Sequence, residues 1–319
     1  MKKSWTISER RIIVFVCLVC TLIIVAGICL GIYQYTKNHM EFIINDMLPN
    51  GNGREAKVVL LAGQSNAAGC SLNEYLEKNV TDEKYEELKK GYDNVYINYY
   101  SSGWNISSGF TKAALGQGDT KDYFGPEVGL AEKLHELYPD ELFFVIKFAF
   151  SGTNLFEQWL SPSSEGNTGV LYTNFVRYVN QSMKYLKSKG YNAKIEGICW
   201  MQGESDSFSV ENATGYKIHL SNFINDARKD FSKYASNNGI AFLDATIADN
   251  PTYWVYCEQV NQSKVDVANS SDINVLIDTN AEGLDCSQEP EGNPDRAHYD
   301  SLSQIKLGNL FGQYISQFF

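Results

Sequence analysis

Short apolar runs alternate with stretches of helical periodicity along most of the chain. Residues 57–62, 94–98, 142–150, 195–201, 240–245 and 273–278 are predicted as strands. Several are apolar at consecutive positions rather than at every second one, which suits strands covered on both faces. Between the runs, apolar residues recur at helical spacing. The segment 128–138 follows Gly125-Pro126 and stops at Pro139; Pro near a helix start and Pro just past its end are both expected punctuation. Residues 171–189 and 216–234 carry the same period, and 301–319 closes the chain as a helix. Strand–helix alternation predicts one α/β domain over 56–319 with a mostly parallel sheet. Ligands of such sheets bind beyond the carboxyl ends of the strands. The sequence contains no repeat and no low-complexity tract.

The first 55 residues follow a different pattern. Lys2, Lys3, Arg10 and Arg11 precede an uncharged stretch from residue 12 to 33. As a helix rising about 1.5 Å per residue, it would span roughly the 30 Å of a bilayer core. The expectation is a cytoplasmic basic leader at 1–11, a transmembrane signal anchor at 12–33, and an exported body. A cleaved signal peptide is the rival, with a shorter apolar region and small residues at the cut; the run here is longer, and Gly31-Ile32-Tyr33 is a poor cut site. Residues 34–55, ending in Asn50-Gly51-Asn52-Gly53, are expected as a polar stalk.

Composition narrows the classes. Of 319 residues, 44% are apolar, enough for a substantial core. A net charge of +4 on residues 1–40 against −11 overall leaves −15 on the rest, so nucleic acid is not an expected partner. Cys17, Cys20 and Cys29 fall in the expected anchor, and Cys70, Cys199, Cys257 and Cys286 in the body. No C-x-x-C pair occurs outside the anchor, which argues against a thiolate zinc site, and the spacing leaves free thiols and disulfides both open.

Four loops at predicted strand ends carry candidate chemistry. In Ala62-Gly63-Gln64-Ser65-Asn66-Ala67-Ala68-Gly69, small residues permit a tight turn that exposes the Ser65 hydroxyl above the sheet, the same requirement a nucleophile elbow meets. Amides at the following helix start would stabilise an oxyanion. Ser65 taken alone also reads as a helix cap. Ser151-Gly152-Thr153-Asn154 follows the third run; by itself it is an ordinary turn. Trp200-Met201-Gln202-Gly203-Glu204-Ser205-Asp206 crowds polar groups around a Gly, where a side-chain amide would donate to an oxyanion. Asp295-Arg296-Ala297-His298 precedes the last helix. His39 lies in the stalk, while His135 and His219 fall in amphipathic segments as solvated surface residues. His298 alone sits in a loop three residues after a carboxylate, a spacing that lets Asp295 accept from one ring nitrogen while the other faces a nucleophile. Scattered single histidines make no metal-ligand motif, so no metal is expected.

Together, Gly63-Gln64-Ser65-Asn66, Ser151-Gly152-Thr153, Trp200-Met201-Gln202-Gly203-Glu204-Ser205-Asp206 and Asp295-Arg296-Ala297-His298 resemble the blocks of SGNH-type (GDSL-like) hydrolases. The branch they resemble most is the carbohydrate acetylesterases, with sialate O-acetylesterase domains and the acetylxylan esterases that have a Gly-Gln-Ser-Asn first block. The resemblance covers residues 56–318. It implies a flavodoxin-like three-layer α/β/α fold, Ser65 as nucleophile, His298 as general base and Asp295 as its orienting acid. It implies an oxyanion hole from the Ser65 and Gly152 amides and the Gln202 side chain, with Gln64, Asn66, Asn154 and Glu204 in support. Glu204 is the second candidate for the acid. Met201 stands where the branch commonly has His, and Ala67 where it commonly has Met; both departures bear on pocket lining. The implied activity is removal of acetyl groups from acetylated glycans without a cofactor. An extracytoplasmic O-acetyltransferase with the same triad and a non-catalytic carbohydrate-binding protein remain alternatives. The sugar, the acetyl position and the oligomeric state are not determined by the sequence.

Overall fold

Each of the six apolar runs lies in a strand: β1 (Glu55–Gly63), β2 (Val95–Ser101), β3 (Phe143–Ala149), β4 (Asn192–Met201), β5 (Ala241–Ala245) and β6 (Asn274–Ile277). The computed structural model describes Met40 and residues 42–319. The leader at 1–11 and the anchor expected at 12–33 lie outside the described residues, as do 34–39 and Glu41 of the stalk. Among the described residues no helix is long and apolar enough to cross a membrane.

The six strands pair in parallel in the order β6-β5-β4-β1-β3-β2. Without β2 the order is that of a flavodoxin-like sheet, and β2 extends the edge beyond β3. Two-residue strands at Asn105–Ile106 and Thr111–Lys112 pair antiparallel with β2. Val58 through Ala62 on β1 and every residue of β3 are buried, so both faces are covered. Helices α1 (Ser65–Ala68), α2 (Asn73–Asn79), α3 (Asp82–Lys90), α4 (Glu127–Leu137), α5 (Val170–Ser188), α6 (Val210–Phe231), α7 (Cys257–Ala268) and α8 (Ser301–Ile315) supply the cover. α4 and α8 pack together on one face, while α5, α6 and α7 follow one another on the other. Gly129 and Gly308 let α4 and α8 touch backbone to backbone: a Cβ on Gly308 would lie 2.1 Å from the Pro126 carbonyl oxygen. This contact seats α8, and α8 holds the loop that carries His298.

Two expectations are corrected here. From residue 42 the expected stalk is strapped to the body. Phe42 packs edge-on against Tyr100 and Tyr178, Leu48 is buried, and the Asn45 N–H donates to the Ser108 carbonyl at 2.7 Å. Phe42 and Leu48 dock the segment, while Ile43 and Met47 stay exposed. The histidines assigned to solvent are also engaged. His135 stacks on Tyr92 with its Nδ1 2.7 Å from Asn94 Oδ1, and His219 is half-buried edge-on to Phe156.

Candidate active site

The strand register brings the candidate loops to one edge. Gly63 is level with Ala149 on one side and Met201 on the other, and Met201 is level with Ala245. β1 is therefore flanked by β3 and β4, the point where chain order reverses and where sheets of this type open a crevice. The loop after β1 needs glycine at its start. Gly63 has φ +141°, and a Cβ there would sit 2.0 Å from the Met201 carbonyl oxygen. Immediately beyond, Ser65 opens the one-turn helix α1. The residue is 6% exposed, and its hydroxyl makes no hydrogen bond among the described residues. As the first residue of that helix, it has an N–H without an intrahelical acceptor. Gly152, exposed with φ +70°, likewise shows no acceptor for its N–H among the described residues.

His298 and Asp295 meet directly, with Nδ1 2.6 Å from Oδ2. Burial pushes the imidazole toward its neutral form, but the Asp295 carboxylate and the Cys70 thiol beside the ring outweigh it and raise its pKa to about 10. The bond to His298 in turn holds Asp295 below the usual carboxylate value. The loop is fixed from the nucleophile side. Asn66 donates from Nδ2 to the Ala297 carbonyl at 3.4 Å and accepts at Oδ1 from the Tyr299 N–H at 3.1 Å, one contact on each side of His298. No Ser65–His298 hydrogen bond occurs among the described residues, and Cys70 Sγ lies 3.7 Å from Asp119 Oδ2 and 3.8 Å from Ser151 Oγ.

Glu204 is fully buried and accepts from Asn66 Nδ2 at 2.8 Å through Oε1, while its Oε2 has no partner. Burial raises its pKa, with the Asn66 bond opposing. It reaches the histidine loop through Asn66. Gln64 ties the third loop in place: its Oε1 accepts from the Gln202 side chain and the Ser205 N–H, each at 3.2 Å.

Gln202 departs from its expected role. Its Nε2 already faces Gln64 Oε1 at 3.2 Å, the Thr153 carbonyl at 3.1 Å and Asp206 Oδ2 at 2.5 Å, and its Oε1 accepts from the Tyr216 hydroxyl at 2.9 Å. An amide nitrogen has two protons, so none is left for an oxyanion, and Gln202 braces the loops instead. Asn154 is placed differently. Its Oδ1 accepts from the Glu157 N–H at 2.8 Å, and its Nδ2 has no protein acceptor among the described residues.

Residues to which the sequence assigned no separate role also build the site. Asp206, buried and with its pKa pushed up to about 6 by burial, accepts from the Leu155 and Phe156 amides at 2.8 and 3.1 Å and so joins the second and third loops. Asp119 accepts from the hydroxyls of Ser151 and Ser102 at 2.5 and 2.6 Å, with Cys70 Sγ 3.7 Å away. Cys70 was within reach of sequence reasoning, five residues from Ser65. Asp119 was not, since its loop has no periodicity and no motif. Cys70, Cys199, Cys257 and Cys286 are all free thiols.

The sequence profile of a carbohydrate esterase family, the sialic acid-specific acetylesterases, matches residues 55–317. The chain belongs to that family. It is a carbohydrate acetylesterase by membership. A comparison with curated protein sequences gives no match. Among solved structures, the esterase is similar to a protein from Arabidopsis thaliana at 18% identity and TM-score 0.60, covering 85% of this chain and all of that one. It is similar to NanS at 15% identity and TM-score 0.59, over 86% of this chain and 99% of the other. A carbohydrate acetylesterase from Xanthomonas citri matches at 15% identity and TM-score 0.53, over 82% of the esterase but 56% of its own length. At these identities the likeness is one of fold.

Proposed function

We propose that this esterase hydrolyses O-acetyl groups on glycans with Ser65 as nucleophile, His298 as base and Asp295 as the carboxylate that orients it. The observation that carries the assignment is the Asn66 side chain, which grips the backbone on both sides of His298 while its own backbone adjoins Ser65. Nucleophile and base loops are thereby locked to one another.

Ser65 Oγ attacks the acetyl carbonyl carbon as its proton passes to His298 Nε2. The tetrahedral oxyanion is stabilised by the N–H groups of Ser65 and Gly152. Asn154 Nδ2, the unused side-chain amide on these loops, is the remaining donor in place of Gln202. The imidazolium gives its proton to the departing sugar oxygen as the C–O bond breaks, and the sugar leaves as the free alcohol. Water, deprotonated by the same imidazole, then attacks the acetyl-serine and releases acetate. The acyl group, the proton and the leaving alcohol are all accounted for by these residues and water.

The deciding experiment is acetate release from acetylated xylan, O-acetylated sialic acid and acetylated cell-wall glycan. Free acetate from at least one supports the proposal. Acetyl groups that appear on an added acceptor sugar instead would make the protein a transferase. Binding without turnover would make it a carbohydrate-binding protein. The proposal includes topology: residues 12–33 hold the chain in the membrane and the body faces outward. Protease added to intact cells should then remove the body; a protected body, or a soluble one with a new N-terminus near residue 35, overturns the anchor.

A further inference from the structure

All three large aromatic side chains that are well exposed among the described residues lie on loops leaving the carboxyl ends of the strands. Trp104, 83% exposed, follows β2; Phe208, 60% exposed, follows β4; Tyr253, 41% exposed, follows β5. Phe208 and Tyr253 form one ridge through Trp254, with ring centroids 5.3 and 6.3 Å from it, and the exposed Val210 and Val255 flank that ridge. Aromatic rings in water at a catalytic edge, in a chain able to bury many others, are unusual unless something covers them.

The aromatic loops lie on both sides of β1: Trp104 leaves β2, two strands away, and on the other side Phe208 leaves β4, the next strand, and Tyr253 leaves β5, two strands away. Between Ser65 and Trp104 the floor is polar: the Asp119 carboxylate with Ser102 and Ser151 is partly open to solvent. A line of apolar ring, polar floor, nucleophile and apolar ring suits a pyranose chain. Each sugar presents an apolar face of C–H groups to an aromatic ring and a rim of hydroxyls to acceptors.

We propose that the cleft binds a stretch of acetylated polysaccharide, with Trp104 and the Phe208–Trp254–Tyr253 ridge stacking on the sugars either side of the one whose acetyl group meets Ser65. The proposal rests on the assignment of Ser65 and names its substrate class as polymeric rather than a free acetylated sugar. Aromatic loops on both sides of the nucleophile offer stacking surface to a chain that extends past the sugar at Ser65.

The test uses the full-length protein and the acetylated glycan that releases most acetate in the panel above, prepared as a ladder from one to eight units. The expected result is a kcat/KM that climbs with length until the chain reaches both aromatic groups and then levels. Trp104→Ala and Phe208→Ala should each lower the polymer-to-monomer ratio of kcat/KM by about fivefold, chiefly through KM. Trp104→Phe should restore most of the loss, and melting temperatures confirm that the exposed substitutions leave the fold intact. A kcat/KM that does not vary with length, or variants that lower monomer and polymer alike, overturns the polymer assignment alone. An enzyme that hydrolyses an aryl acetate but no sugar ester overturns the proposed function and the polymer cleft with it.

Discussion

Replacing Ser65 with alanine should reduce kcat on an aryl acetate by about 10⁶-fold, the scale seen when the nucleophile of a serine hydrolase is removed. The proposed oxyanion donors, the Ser65 and Gly152 amides and the Asn154 side chain, would survive, and the residual activity would reflect them alone. The fold should be untouched. The hydroxyl makes no hydrogen bond among the described residues, and Asn66, Gln64 and Gly63 hold the turn through contacts that alanine leaves in place. Initial rates and a thermal melt of the same preparation check this. A variant within tenfold of wild type would take Ser65 out of the mechanism.

The fold was legible because the central strands are buried on both faces. They therefore read as apolar runs, and the register that aligns their ends follows from parallel pairing. Helix α7 (Cys257–Ala268) was missed for a physical reason. Its inward face includes Ser263 and Lys264, and Lys264 pairs with Asp244 at 2.5 Å in the interior. A buried ion pair satisfies both charges yet erases the apolar stripe that marks a helix. Helices α2 and α3 each bury one leucine, Leu76 and Leu88, too few to set a period.

The site was legible at its loops and not in its bonding. Ser65, Gly152 and the Asp295–His298 pair could be named because each is bound to a strand end or to a short spacing. Gln202 could not be judged from sequence, since a glutamine shows two donors until its neighbours are known. Here Asp206, Thr153 and Gln64, from three separate segments, take them. Asp119 reaches the cleft only because the segment after β2 folds back across the sheet edge, and nothing local in its sequence foretells that.

The second large effect separates the two carboxylates near the base. Asp295 touches His298, whereas Glu204 touches Asn66. With the imidazolium held up to about 10, His298 is mostly protonated at neutral pH, so kcat/KM should rise with pH through the alkaline range as the base form appears. Asp295→Asn removes the charge that favours the imidazolium, so the limb should move toward the ordinary histidine value near about 6.5. The plateau should fall by at least about 10²-fold, against roughly 10⁴-fold for the same change in a serine protease. Glu204→Gln keeps an acceptor for Asn66 but places an amide donor where Oε2 has no partner. A buried unpaired donor destabilises by about 1–3 kcal/mol, so its main effect should be a lower melting temperature with the limb unmoved. The pH profiles and melts of both variants decide the assignment. If Glu204→Gln shifts the limb and drops the plateau further than Asp295→Asn does, Glu204 is the orienting acid and Asp295 only shapes the loop.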